Sequence, residues 1–187
     1  MTIDAPSRSR GRSTDEASLR YDAPYNAWAN ARLYAEARAV SDESHRKDVG
    51  AFFRSLHGTL NHLLVTDRIW MRRFTGKGEH LSKLNAIMFD DLPSLDGART
   101  AEDARIIQYV ESLSEEEIGR DFSYSTTKGL PQRFILADLL AHWFNHQTHH
   151  RGQAHCILTV LGVPEPKPLD LVAMYRNVLS GHQATSA

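Results

Sequence analysis

Residues 136–161, LADLLAHWFNHQTHHRGQAHCILTVL, decide how the rest of the chain is read. Leu136, Leu139, Leu140, Trp143, Ala154, Ile157, Leu158 and Leu161 recur at helical spacing, so the run predicts one long amphipathic helix. Gly162 and Pro164 stop it. Five of the chain's ten histidines fall between His142 and His155. That density exceeds what a soluble helix needs and points to metal binding. Residues four apart share a helix face, so His142/His146 and His146/His150 both qualify as a pair. The apolar stripe chooses between them. At about 100° per residue His150 falls near its centre and His146 on its flank, about 70° away. His142 and His149 lie further out, and His155 points to the other side. A metal site inside a helical bundle needs inward ligands, which selects His146 and His150. The spacing equals that of H-E-x-x-H, but Gln147 stands at the second position. An amide cannot act as a general base, which argues against a zincin-type protease.

Outward from this helix, 187 residues make one domain with room for a sizeable core. With 22 basic and 23 acidic residues, the chain shows no electrostatic footprint for nucleic acid or an anionic membrane. No apolar run is long enough to span a bilayer. The single Cys156 cannot close an intrachain disulfide, which fits a reducing cytoplasm and excludes a cysteine-rich zinc site. On the wheel it reads as a small, partly buried filler.

Residues 1–18 are polar, without the apolar core of a secretory signal, and predict a disordered tail. The folded domain is expected over 19–179, with a second tail at 180–187. A first helix is predicted from about Tyr21 to Val40 on Tyr25, Trp28, Ala29, Leu33 and Ala37, with Pro24 in its first turn. Asn26 and Asn30 could line a pocket or face solvent. A second helix is predicted from Asp48 to Phe74, closed by Gly76, with Phe52, Phe53, Leu56, Leu60, Leu63, Leu64, Trp70, Met71 and Phe74 on its main face. Val65 and Ile69 form another apolar side, which suggests burial on two faces or a homodimer contact. His57 and His62 also sit here; the wheel does not select a ligand, and His57 lies nearer the main face. Asp67 falls near the centre of that face. A carboxylate there must be paired, most simply by an arginine of a neighbouring helix, in preference to orienting a ligand histidine.

Residues 76–97 read as a connection, and Thr100–Leu113 as a third helix. Ser114 with Glu117 resembles a capping box. Phe122–Thr126 and Gln132–Ile135 around Lys128-Gly129 predict a short hairpin. The expected fold is therefore all-α, a four-helix bundle with a possible hairpin before the last long helix. A short helical turn is expected at Leu169–Leu179.

SLHGTLNHLLVTDRIWMRRF, NHQTHHRGQ, YNAWANARL and the terminal DLVAMYR resemble the DinB/YfiT-like family of four-helix metal-binding proteins, unrelated to the polymerase that shares the name. The likeness covers roughly residues 20–178, and its H-R-G-Q element is the more specific part. It implies a three-histidine site with one ligand from the second helix. By position that ligand is His62, with His146 and His150 as the pair and His57 as runner-up. It also implies either a metal-dependent enzyme, a thiol-dependent transferase or isomerase or a hydrolase, or a non-catalytic metal-binding or stress-response protein. A module that binds no metal is the third expectation. Three imidazoles leave a coordination position open, the catalytic arrangement for zinc, and suit Zn or Ni first, with Fe, Cu or Mn as further candidates. A low-molecular-weight thiol or other small molecule is the expected partner. Asn145, Gln147, His149, Arg151 and Gln153, with His57 and Asp67, are candidate pocket residues around the ion.

Overall fold

In the computed structural model the described residues are 12–176. In chain order they form α1 (Arg12–Ala37), α2 (Asp42–Arg46), α3 (Leu56–Thr75), α4 (Leu92–Ser112), α5 (Glu115–Ile118), β1 (Asp121–Ser125), β2 (Pro131–Ile135) and α6 (Leu136–Val160). A last helical turn, α7, spans 171–176. The long helices α1, α3, α4 and α6 make the bundle. Each of α1 and α3 packs on both α4 and α6, so α3 and α6 are neighbours and share a groove. The antiparallel hairpin pairs Asp121 with Ile135 and Ser125 with Pro131 just before α6 begins.

Local chemistry sets the ends. Ser55 accepts the Gly58 N–H as the N-cap of α3, and Gly76 closes that helix in the left-handed region at φ 69°. Asp91 caps α4. Ser114 and Glu117 complete the expected capping box of α5.

Several boundaries differ from the sequence reading. α1 starts at Arg12, so residues 12–18, expected in the tail, are helical. Residues 1–11 and 177–187, including the expected C-terminal tail, lie outside the described residues. Pro24 is inside α1 rather than in its first turn, at the loss of one backbone hydrogen bond. α3 begins at Leu56, not Asp48. The segment before it doubles back through left-handed residues Gly50 (φ 73°) and Arg54 (φ 69°). The Phe53 carbonyl lies over Gly58, where an added Cβ would come within 2.2 Å of it. This reversal leaves Phe52 84% exposed, against its expected place in the core. α4 begins at Leu92 and shortens the preceding connection. Cys156 is exposed rather than partly buried.

The core has two apolar parts. One gathers Trp70, Met71, Ile106, Val110, Leu139, Leu140, Trp143 and Phe144 near the hairpin end. The other gathers Leu33, Tyr34, Leu56, Leu60, Leu63, Leu64, Leu95, Ala154, Ile157 and Leu158 at the opposite end. A buried polar belt crosses the bundle as well. Arg99 of α4 forms ion pairs with Asp67 at 2.6 Å and Asp103 at 3.0 Å. The Trp143 indole N–H donates to Asp67 at 2.6 Å. Asn26 and Asn30, both buried, donate to Asp103, and Arg151 donates to Asn26. Asp67 thus meets the arginine that its position demanded. Val65 and Ile69 are buried within the chain, so this second apolar side of α3 is covered without a partner subunit.

Candidate metal centre

His62 of α3 and His146 and His150 of α6 each offer a ligand atom, and these atoms all lie within 4.8 Å of one another. The ring centroids are 5.4 Å apart for His62–His146, 4.5 Å for His62–His150 and 4.4 Å for His146–His150. A first-row ion about 2.0–2.1 Å from each nitrogen holds tetrahedral ligand atoms about 3.3 Å apart.

Hydrogen bonds assign the tautomers of two rings. The His62 Nδ1–H donates to the Leu84 carbonyl at 2.7 Å, which leaves the lone pair on Nε2. That Nε2 is buried and has no hydrogen-bond partner. The His150 Nδ1–H donates to Gln153 Oε1 at 2.8 Å, so its Nε2 also carries the lone pair. The buried Nδ1 of His146 lacks a partner too. A buried, unpaired nitrogen is costly in an apolar protein interior; a metal ion would relieve that cost. The Leu84 and Gln153 contacts are the kind that orient ligand imidazoles.

Electrostatics keeps the rings neutral. Burial lowers His62 to about 4, opposed by its bond to Leu84. Burial, with the neighbouring imidazoles, lowers His146 to about 3. Burial also lowers His150, against its bond to Gln153. All three are therefore neutral imidazoles at pH 7, the form that binds metal. Three neutral nitrogen donors fit a zinc, nickel, copper or iron ion.

The ring of Phe53 stacks on His62 at 3.7 Å and 19° and stands edge-on to His150 at 5.4 Å. It covers one side of the centre, while His146 and His150 remain half-buried. Phe53, expected on a helix, lies in the loop before α3, and residue spacing does not reveal the Leu84 carbonyl, a backbone group of another loop.

Of the candidate pocket residues, Gln153 alone hydrogen-bonds one of the three clustered histidines, and its amide also donates to His149 at 3.1 Å. His149 is exposed beside His150, with ring centroids 4.8 Å apart. Asn145 is exposed. Gln147 is buried and ties α6 to the Leu63 carbonyl and Thr66 of α3. Arg151 and Asp67 belong to the polar belt instead. His57 packs against His45, with centroids 5.2 Å apart, and outside the cluster. Asn61 uses its carbonyl oxygen to accept Met88 and Phe89 N–H groups, so its amide nitrogen donates to His57 Nε2. That bond engages the lone pair His57 would need as a ligand through Nε2.

The family described as the DinB family matches residues 15–176. The chain belongs to the DinB family. It is also similar to "Protein DinB" of Bacillus subtilis (strain 168), 22% identical over 151 residues, which covers 74% of this chain and 83% of that protein. Membership and the three-histidine cluster together fit a metal-binding DinB-like protein.

Proposed function

We propose that this DinB-family protein is a metal-dependent enzyme, a thiol-dependent transferase or isomerase or a hydrolase, with His62, His146 and His150 as its metal ligands. The observation that carries the reading is the buried, unpartnered Nε2 of His62, facing an inward histidine pair from the neighbouring helix. When bound, a divalent ion, zinc or nickel first, supplies Lewis-acid activation that lowers the pKa of a thiol or water.

The chain's own residues provide the rest. Leu84 and Gln153 hold two imidazoles with Nε2 directed away from their Nδ1–H bonds. Phe53 shields one side from water, and the half-buried side at His146 and His150 admits a small molecule. The two apolar parts of the bundle core are built without the histidines, which favours catalysis over a role in holding the fold together. A cytoplasmic location is consistent with the lone Cys156. Among the described residues no helix is long and apolar enough to cross a membrane.

The test compares thermal unfolding with and without zinc or nickel, followed by calorimetric titration with low-molecular-weight thiols. Thiol binding that requires the ion supports the enzyme. Large stabilisation by the ion with no thiol or substrate binding assigns it a structural role.

A further inference from the structure

A second constellation lies between the C-terminal part of α3 and the hairpin. Arg73 is half-buried, with its guanidinium 4.5 Å from the Trp70 ring centre and 4.8 Å from that of Tyr124 on β1. Among the described residues it makes no hydrogen bond or ion pair. Stacking engages the faces of a guanidinium and leaves its N–H edge available, the edge that matches a carboxylate or phosphate bidentately.

That arginine lines a cavity of about 190 Å³ together with Arg72, His80, Ser125, Thr126 and Thr127. No carboxylate lines it. Arg72 is anchored by donating to the Gly78 carbonyl at 2.6 Å, and the Thr126 hydroxyl accepts the Leu130 N–H. The hydroxyls of Ser125 and Thr127 have no protein partner among the described residues. Two guanidinium groups and unengaged hydroxyls without an acid describe a receptor for an oxyanion.

Its position relates it to the histidines. Residues 69 and 73 each fall within about 20° of residue 62 on a helix wheel, on either side of it. Arg73 and the cavity-lining Ile69 therefore follow His62 along one stripe of α3. Seven to eleven residues of rise separate them by about 10–16 Å. Rings bridge the interval: Trp70 meets His142 at 5.7 Å, and His142 meets His146 at 6.3 Å.

We propose that this cavity is an oxyanion subsite. It binds a carboxylate or phosphate group on a molecule whose other end reaches His62, His146 and His150. The link to the histidines rests on the metal-centre reading above; the anion site itself does not.

The first arm uses metal-free full-length protein at low salt, titrated calorimetrically with inorganic phosphate and separately with succinate. Saturable binding of either is expected, weakened about tenfold or more in Arg73→Gln and retained in His62→Ala. Binding of phosphate alone or succinate alone names the group. Arg73→Lys keeps the charge without the fork, and Thr127→Ala leaves the aromatic stack intact. Each should bind less tightly even if Arg73→Gln fails to fold. No saturable binding of either anion, or binding unchanged in the folded Arg73 and Thr127 variants, overturns the subsite.

The second arm uses zinc-loaded protein and a long-chain ω-mercaptocarboxylate beside the ω-mercaptoalcohol of equal length. The carboxylate should bind more tightly, and Arg73→Gln, or Arg73→Lys, should erase the advantage. Equal affinity of the two thiols in the wild-type protein overturns the link. Because the first arm needs no ion, failure of the metal centre and failure of the anion site are read separately.

Discussion

Two buried polar groups lie between α3 and its neighbours, and they solve burial in opposite ways. The belt of Asp67, Arg99, Asp103 and Arg151 carries charges that cancel, two of each sign, with Arg99 seated between both carboxylates. Burial raises Asp67 to about 6, but the Arg99 guanidinium opposes that rise. The histidine cluster instead has no charge to cancel. Its rings are held neutral, and buried nitrogens of His62 and His146 go without partners. A polar layer that supplies its own counter-charges is a fastener between helices. One that turns neutral nitrogen lone pairs toward one another has the form of a receptor.

The largest expected effect falls on the belt. Arg99→Met leaves Asp67 and Asp103 buried without their cation, and should cost about 3–5 kcal/mol in chemical denaturation. The matching change in the cluster, His62→Leu in metal-free protein, should change stability by less than about 1.5 kcal/mol. Equal losses would erase the distinction between the two regions.

A smaller effect sharpens it. Gln153→Leu removes the acceptor that orients His150 and should weaken metal affinity about 10–100-fold, with little change in the thermal stability of metal-free protein. Competition with a chelating dye measures this. Unchanged affinity would leave Gln153 a surface neighbour.

A further effect is on pH. The folded His62 and His146 values, about 4 and about 3, lie below the ordinary histidine value of 6.5. Above pH 6.5 both folded and unfolded states are neutral, and these rings contribute no pH dependence. As pH falls below 6.5 the unfolded chain takes up protons that the folded rings refuse, so stability is lost down to their folded values. Asp67 acts with the opposite sign: below about 6 its folded carboxyl gains a proton that the unfolded chain, at 3.8, does not yet bind. Metal-free protein should therefore lose thermal stability on acidification from pH 6.5 towards 4, and His146→Ala should flatten that loss. An equally steep loss in the variant would assign the titration elsewhere.

The contrast also explains what could be read from the sequence. α6 has one apolar stripe, so periodicity alone placed His146 and His150 inward. α3 is buried nearly throughout from Leu56 to Met71. With neighbours on several sides, its wheel has no single inward direction, and His62 had to come from the family resemblance. Asp67 was legible because a carboxylate amid leucines requires a cation. Asn26 and Asn30 were not, since their partner Asp103 comes from a helix about 75 residues away. Phe52 and Phe53 continued the helical period of α3, while the actual stop, Ser55, acts through a cap and a chain reversal. The Arg73 cavity depends on the hairpin packing beside α3, a tertiary arrangement that spacing does not encode.

The central claim is that His62, His146 and His150 form one receptor for one ion. The most direct measurement is elemental analysis of protein purified without an affinity tag, wild type beside His62→Ala, His146→Ala, His150→Ala and His57→Ala. Close to one divalent ion per chain is expected in the wild type and in His57→Ala, with loss of that ion in the other three. No metal under any loading condition, or an ion kept by His62→Ala and lost by His57→Ala, would contradict it.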